Sequence, residues 1–513
     1  MLAIGRPLAL VDVHRVAHDD QRVCLDDSAR AELAHTRAHL EASLEQDTTI
    51  YGVNTGFGAL SETRVSSEDL AQLQVNLLRS HAAGVGKPLR QTFVRAILLL
   101  RAHTLAQGAS GASPALVDHL IEMLNRGVTP VVPCQGSVGA SGDLAPLAHL
   151  ALVAIGEGEA YVRGGDERAI PGAQALSAVG LAPYALGPKE GLSLINGTQM
   201  MTAIATLAAV DAGELVIAAD VLGALSLDSL LGSISPFDPR IHAGKPHPGQ
   251  IACAATIRGL VEGSELNTSH ADCGLVQDAY SLRCMPQVHG AVRAALTYVA
   301  NALTIEVNAF TDNPLVLARE DGGFDVISGG NFHGASVAVP IDHLSAAMTT
   351  LGTISERRLD RFLNPASSRG LPAFLATRPG LESGMMMIQV TASALASECK
   401  VLSMPASVDT IPTSAGKEDH VSMGPIAARK LDSVVGAVAR ILAIEGVIAA
   451  RALDLRERQT SPALRRAHAL IRKYVAPTTG DRSMSNEIEE LAAALRRGEL
   501  AAAVGLSSPL AEG

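Results

Sequence analysis

The chain has 513 residues, a formal charge of −11, 47% hydrophobic residues, 18% charged residues and no tryptophan. That length supports a large core and roughly two to four domain-sized units, and the negative balance argues against a nucleic-acid backbone as partner. With aromatics at only 3% the core must be aliphatic, which suits close-packed helices better than a β-sandwich rich in aromatic and β-branched residues.

The amino terminus, MLAIGRPLALVDVHRVAHDD, places Arg6 and Asp12 where a signal peptide would need an unbroken apolar run, so no export signal is read. The six cysteines, Cys24, Cys134, Cys253, Cys273, Cys284 and Cys399, are scattered and include no CxxC pair. This disfavours zinc and a disulfide framework and fits a reducing compartment, the cytoplasm. Up to about residue 190, short helical patterns alternate with glycine-rich loops. TFVRAILLLRAHTLAQG repeats apolar residues at three- and four-residue spacing, and PALVDHLIEMLNRG has Pro114 as a start and Gly127 as a stop. MMTAIATLAAVDAGELVIAADVLGAL is strongly apolar, but Asp211, Glu214 and Asp220 interrupt it, so it reads as a buried helix and not as a membrane span. In RIHAGKPHPG, His242 and His247 lack a carboxylate or Cys at metal-ligand spacing and read as a solvated loop. Longer helical patterns follow: QVHGAVRAALTYVANALTIEVNAF, DHLSAAMTTLGTISERRLDRF and AARKLDSVVGAVARILAIEGVIAARALDL. Helices this long need neighbours on several sides, which predicts an all-α, elongated bundle with a mixed amino-terminal region and association between subunits. The expected divisions are 1–200, an amino-terminal region carrying the glycine-rich loop at 136–150, 201–455, the long central helical bundle, and 456–513, a more charged, peripheral helical segment.

One loop, GSVGASGDLAPLAHL at 136–150, crowds its smallest residues beside a carboxylate. It is not a nucleophile elbow, because Gly139-Ala140-Ser141-Gly142-Asp143 lacks the last glycine of G-x-S-x-G. It has neither phosphate-loop spacing, and GFGALS at 56–61 is only a near miss. Read locally it is a tight turn with Asp143 opening a helix. Six further loops share its character: YGVNTGFG, RSHAAGVG, EGLSLINGTQ, VQDAYSLRCMPQVHG, GGNFHG and SAGKEDHVSMGP each set one or two chemically capable residues among small ones. Alone, a Tyr or Asn-Gly there reads as a turn, an Arg as surface and a His as a satisfied structural residue.

In this order, from about residue 5 to about 455, the loops closely resemble those of the aromatic amino acid ammonia-lyases, the histidine-using branch most of all. The resemblance implies a homotetramer of the aspartase/fumarase-like helical type with sites shared between subunits. It also implies elimination of ammonia from L-histidine to give trans-urocanate. The electrophile would be 4-methylidene-imidazol-5-one (MIO), formed when the Gly142 amide attacks the Ala140 carbonyl and two waters are lost, one from Ser141; no metal or dissociable cofactor is implied. Glycine allows that fold-back at low steric cost. By the same resemblance Asp143 and Phe332 promote cyclisation, Tyr51 is the base that takes the β-proton, and Arg283 grips the substrate carboxylate. Asn196, Tyr280 and Gln277 surround the MIO and substrate, and His81 and Glu418 face the imidazole. A carboxylate favours a ring that donates N–H, which a phenyl ring does not. Gly416-Lys417 departs from the Asn-Gln pair usual before that Glu, and Lys417 either pairs with Glu418 or faces solvent. The alternatives are a tyrosine or phenylalanine ammonia-lyase or an aminomutase, and, outside the class, a non-catalytic helical ligand-binding protein. Partners implied are a small amino acid, with no nucleic acid and no membrane.

Overall fold

A 31-residue helix, Gln199–Ser229, runs through the middle of the molecule with every residue but Glu214 buried. It packs against Met285–Val307, Ala335–Leu363 and Gly424–Asp454. The computed structural model describes residues 1–45, 54–55, 65–66, 69–165, 168–270, 276–508 and 510. One contiguous apolar core extends from Ile4 to Val504, built mainly of Ala, Leu, Val and Ile. Each fully buried Leu or Ile of that core contributes about 1.5–3 kcal/mol relative to exposure, and Ala at helix crossings lets backbones approach without voids.

Three acids that punctuate the central helix, Asp211, Asp220 and Asp228, are its anchors. Asp211 accepts from Arg496 Nε at 2.8 Å, Asp220 from His289 at 2.7 Å, and Asp228 from Ser264 Oγ at 2.8 Å. Each ties the helix to a different element, so these three carboxylates, which lower hydropathy along the sequence, are hydrogen-bonded in space. Glu445 does the same on the neighbouring helix. Fully buried, it takes Arg358 Nη2 at 2.8 Å and Ser226 Oγ at 2.6 Å, joining three long helices at one point. By length and composition alone, Gln199–Ser229 and Gly424–Asp454 would cross a membrane, but their most apolar windows are 94% and 83% buried inside the protein.

The expected helices form as Gln91–Ala106 and Pro114–Asn125, the latter capped by Ser113 Oγ and followed by Gly127 at φ +75°. The helix expected from Asp342 begins earlier, at Ala335, and carries Pro340 inside it, where the missing N–H removes one i→i−4 backbone bond. The solvated loop expected around His242 is corrected: His242 is buried in the short helix Pro239–Ala243, its ring nitrogens facing Pro236 O at 3.1 Å and Gln250 Nε2 at 3.0 Å. Strands are short and mostly amino-terminal: Leu2–Ile4 pairs in parallel with Val23–Leu25, and Val128–Pro130, Glu159–Val162 and Ile170–Pro171 form an antiparallel trio. Leu315–Ala318 and Phe324–Ile327 make a hairpin. The pairing of Val85–Pro88 with Pro133–Gln135 matters most for function, because it sets the RSHAAGVG loop beside GSVGASG.

Candidate active site

Ala140, Ser141 and Gly142 lie between the end of that strand pair and the helix Ala145–Ala154. Gly142 has φ +69° and bridges Gly197 of the INGTQ loop; a Cβ there would fall 2.1 Å from Gly197 O. Only glycine permits this approach. Asp143 N donates to the same carbonyl at 2.7 Å, so the two loops are locked backbone to backbone.

Asp143 does not open the helix that follows it. That helix starts at Ala145 with no side-chain cap, and the Asp143 carboxylate instead accepts the N–H groups of Met200 and, at 3.3 Å, Met201. Those are first-turn donors of Gln199–Ser229, orphaned in any helix and aligned with its positive end. Burial pushes the Asp143 carboxyl up to about 7, against the lowering by these N–H groups and by Arg101.

A cleft of about 690 Å³ opens over Ser141. Of the residues singled out from the sequence, His81, Ala140, Ser141, Asn196, Phe332 and Glu418 line it. His81 is the last residue of the helix Leu70–His81, and its Nδ1 lies 2.9 Å from Leu77 O. Since a carbonyl only accepts, Nδ1 carries the proton, the tautomer in which Nε2 is left as the acceptor. Glu418 Oε1 accepts from Ser141 Oγ at 3.3 Å and Oε2 from Thr413 Oγ1 at 2.6 Å. Backbone bonds between Thr413 and Glu418, at 3.0 and 3.4 Å, close this loop on itself. Lys417 lines the cleft but is exposed and, among the described residues, pairs with no carboxylate, so it does not take up Glu418.

Gln277, Tyr280 and Arg283 are not brought to Ser141 by this chain. Gln277 and Arg283 line a separate cavity of about 620 Å³ that shares no residue with the first. There Arg283 Nη2 donates to Gln277 Oε1 at 2.9 Å, and its guanidinium carbon stands 4.7 Å over the Tyr280 ring. Tyr280 is 70% exposed, unusual for so large a ring. Tyr51 lies outside the described residues. The sequence reading missed Asn76, Thr413, His333 and Asn313, which surround the cleft or its acid. His333 sits in the GGNFHG loop already singled out for Phe332, with its ring centroid 5.7 Å from that of His420. Thr413 was detectable only as a hydroxyl five residues before Glu418.

A second buried group has metal-ligand chemistry but a different logic. Cys253 Sγ lies 3.1 Å and His289 Nδ1 2.7 Å from Asp220 Oδ1, while Arg293 holds Oδ2. Burial raises the Asp220 carboxyl, but His289 and Arg293 outweigh it and bring it to about 2; burial pushes the Cys253 thiol well above its ordinary value, so it stays a donor. These are hydrogen-bond distances around one anion, already neutralised by an arginine.

Residues 8–473 match the family model described as aromatic amino acid lyase. The chain is 50% identical over 509 residues to the histidine ammonia-lyase of Sorangium cellulosum (strain So ce56), covering 98% of each. Among solved structures it superposes on the histidine ammonia-lyase from Trypanosoma cruzi with TM-score 0.90 at 40% identity, covering 98% of this chain and 95% of that one. It superposes on the tyrosine aminomutase from Streptomyces globisporus with TM-score 0.92 at 38% identity, covering 98% of each. With a mostly helical fold and a match over nearly its whole length, the chain belongs to the aromatic amino acid lyase family.

Proposed function

We propose that this chain eliminates ammonia from L-histidine to give trans-urocanate, using an MIO group built from Ala140, Ser141 and Gly142. The observation that carries the substrate is one cleft holding Ser141, the Nε2 acceptor of His81 and the carboxylate of Glu418, 3.3 Å from Ser141 Oγ. Acceptors on this scale suit an imidazole N–H and find no partner on a phenyl ring. Relatives about half identical over nearly the whole chain carry the name histidine ammonia-lyase, which supports the same substrate.

The tripeptide suits the group. Gly142 already sits at positive φ with no room for a side chain, Ala140 is buried, and Ser141 opens on the cleft. When formed, MIO supplies an electrophile for the substrate amine that ordinary side chains do not provide. Its condensation consumes the Ser141 hydroxyl, freeing Glu418 Oε1 for an imidazole N–H. Thr413 holds the other carboxylate oxygen, so the acid stays oriented. Asp143 keeps the Gly142 segment against the central helix, and Phe332 gives the wall an apolar side. Tyr51 takes the β-proton in this scheme; an ordinary phenol titrates near 10, so the assembled site must stabilise its anion.

Arg283, with Gln277 and Tyr280, would bind the carboxylate from a neighbouring copy in a homotetramer. Exposed apolar side chains support association: Tyr280 is 70% and Ile305 71% exposed, and Val390 and Val401 on the helix Met386–Leu402 are 51% and 74% exposed. Five free cysteines among the described residues suit the reducing cytoplasm. The test is urocanate absorbance with histidine as sole substrate, beside the intact mass. Urocanate formation and a mass two waters below the sequence are expected. Products from tyrosine or phenylalanine alone, or a β-amino acid, would reassign the substrate or reaction, and an undiminished mass would overturn the proposal.

A further inference from the structure

Behind the cleft lies a set of charges that the chemistry above does not use. Lys189 and Asp312 are both fully buried, with Nζ 2.6 Å from Oδ2. Lys189 also donates to Ser193 Oγ at 3.1 Å and opens the helix Glu190–Ile195 from a left-handed φ of +67°. The other Asp312 oxygen accepts from Asn313 N at 2.7 Å and from Asn196 Nδ2 at 3.2 Å. The second hydrogen of that Asn196 nitrogen goes to Asn313 O at 3.0 Å.

Burial raises the Asp312 carboxyl, but Lys189 and Arg101 outweigh it and keep it below the usual carboxylate range. It is therefore an acceptor only, and so is the Asn313 carbonyl. Two obligate acceptors settle which end of the Asn196 amide faces them: nitrogen inward, oxygen outward. Arg101 grips the backbone as well, donating from Nη1 to Asn196 O at 2.9 Å. The outward Oδ1 is buried, has no hydrogen-bond partner among the described residues, and belongs to a residue lining the Ser141 cleft. A buried acceptor without a partner is costly in a folded protein unless a ligand completes it. A buried ion pair adds little net stability by itself, so the role of this one lies in what it orients.

We propose that Asp312, clamped by Lys189, is a positioning residue that holds the Asn196 carboxamide oxygen toward the cleft to accept an N–H of the bound amino acid. The inference rests on the ammonia-lyase reading of that cleft. A neutral amide at 312 would present either face to Asn196 and free it to flip; the carboxylate permits one orientation.

The test is a double-mutant cycle on the full chain with histidine, read together with intact mass. Asp312→Asn is expected to retain the two-water deficit while kcat falls about 10- to 100-fold, the scale of losing a residue that orients a functional side chain. Adding Asp312→Asn to Asn196→Ala is expected to cost nothing further, because the residue acts through the amide that is already gone. Multiplying losses would mark a general structural role and overturn the inference, as would disappearance of the mass deficit in Asp312→Asn. If that variant strands the lysine charge and does not fold, the neutral pair Lys189→Met with Asp312→Asn carries the same cycle. A wild-type chain that forms no urocanate would overturn the ammonia-lyase reading and this inference with it.

Discussion

Replacing Glu418 with glutamine tests the substrate assignment at a single atom. The carboxylate has two acceptor oxygens, one held by the Thr413 hydroxyl at 2.6 Å and one 3.3 Å from Ser141 Oγ. In Glu418→Gln the hydroxyl of Thr413 still needs an acceptor, so the amide oxygen turns toward it and the NH2 turns into the cleft. An imidazole N–H would then meet a donor where it had met an anion. A hydrogen bond to a charged group is worth about 1.5–3 kcal/mol, which corresponds to about 10- to 150-fold in kcat/KM. Phenylalanine has no ring N–H and loses nothing on this account. The assay is kcat/KM for both amino acids with wild type and Glu418→Gln, under conditions where any phenylalanine turnover is measurable. A selective loss on histidine is expected; an equal loss on both substrates would refute the orientation argument. Thr413→Val, which removes the orienting hydroxyl and leaves the charge, should lower histidine kcat/KM by a smaller factor, about 2- to 10-fold.

Ser141→Ala should abolish turnover with the fold kept and the mass equal to the sequence, and an active variant would end the MIO proposal. Co-assembling inactive Ser141→Ala with inactive Arg283→Ala should restore activity at about a quarter of sites if Ser141 and Arg283 come from different copies; no recovery in confirmed mixed assemblies would place both in one chain. Asp143 adds a pH dependence: its carboxyl stands near 7 in the folded chain, chiefly from burial, against 3.8 ordinarily. Between these values the unfolded chain has released the proton and the folded chain has not, so stability falls as pH rises through this window, by at most about 4 kcal/mol. Unfolding of Asp143→Asn and wild type at pH 4 and pH 8 should therefore shift in favour of the variant at the higher pH, and a pH-independent difference would contradict it. Glu445→Gln leaves Arg358 buried beside a neutral amide and should cost about 3–5 kcal/mol of stability by denaturant unfolding; a loss within experimental error would show that the pair is not needed.

Local chemistry was legible where it is local. Pro114 and Gly127 bracket a helix because proline suits a first turn and glycine a left-handed exit, and both are properties of single residues. The aliphatic run at 200–225 became the central helix because Ala and Leu favour helix and the run is apolar on every side, which suits a helix buried all round. Asp143 was legible as a cap but not as the cap of which helix: sequence proximity favours the one beginning two residues later, whereas the carboxylate serves a helix more than fifty residues on. His242 was misread because a Gly/Pro-rich surrounding resembles a solvated loop, and only packing shows that both its nitrogens are satisfied. Lys189 and Asp312 carried no signal at all, since a lone Lys and a lone Asp 123 residues apart look like solvated charges until both are found fully buried.

The sequence by itself determined which segments are helical, that the core is aliphatic, and which loops hold reactive side chains among glycines. Tertiary structure decided which loops meet. Ser141 and Glu418 stand 277 residues apart and become neighbours only because the long helices stack and carry their connecting loops to one place. It also decided that Gln277, Tyr280 and Arg283 stay away from that place within one chain. Periodicity encodes which face of a helix is apolar, a matter of three or four residues, whereas the meeting of loops depends on how apolar faces from the whole chain pack against one another at native density.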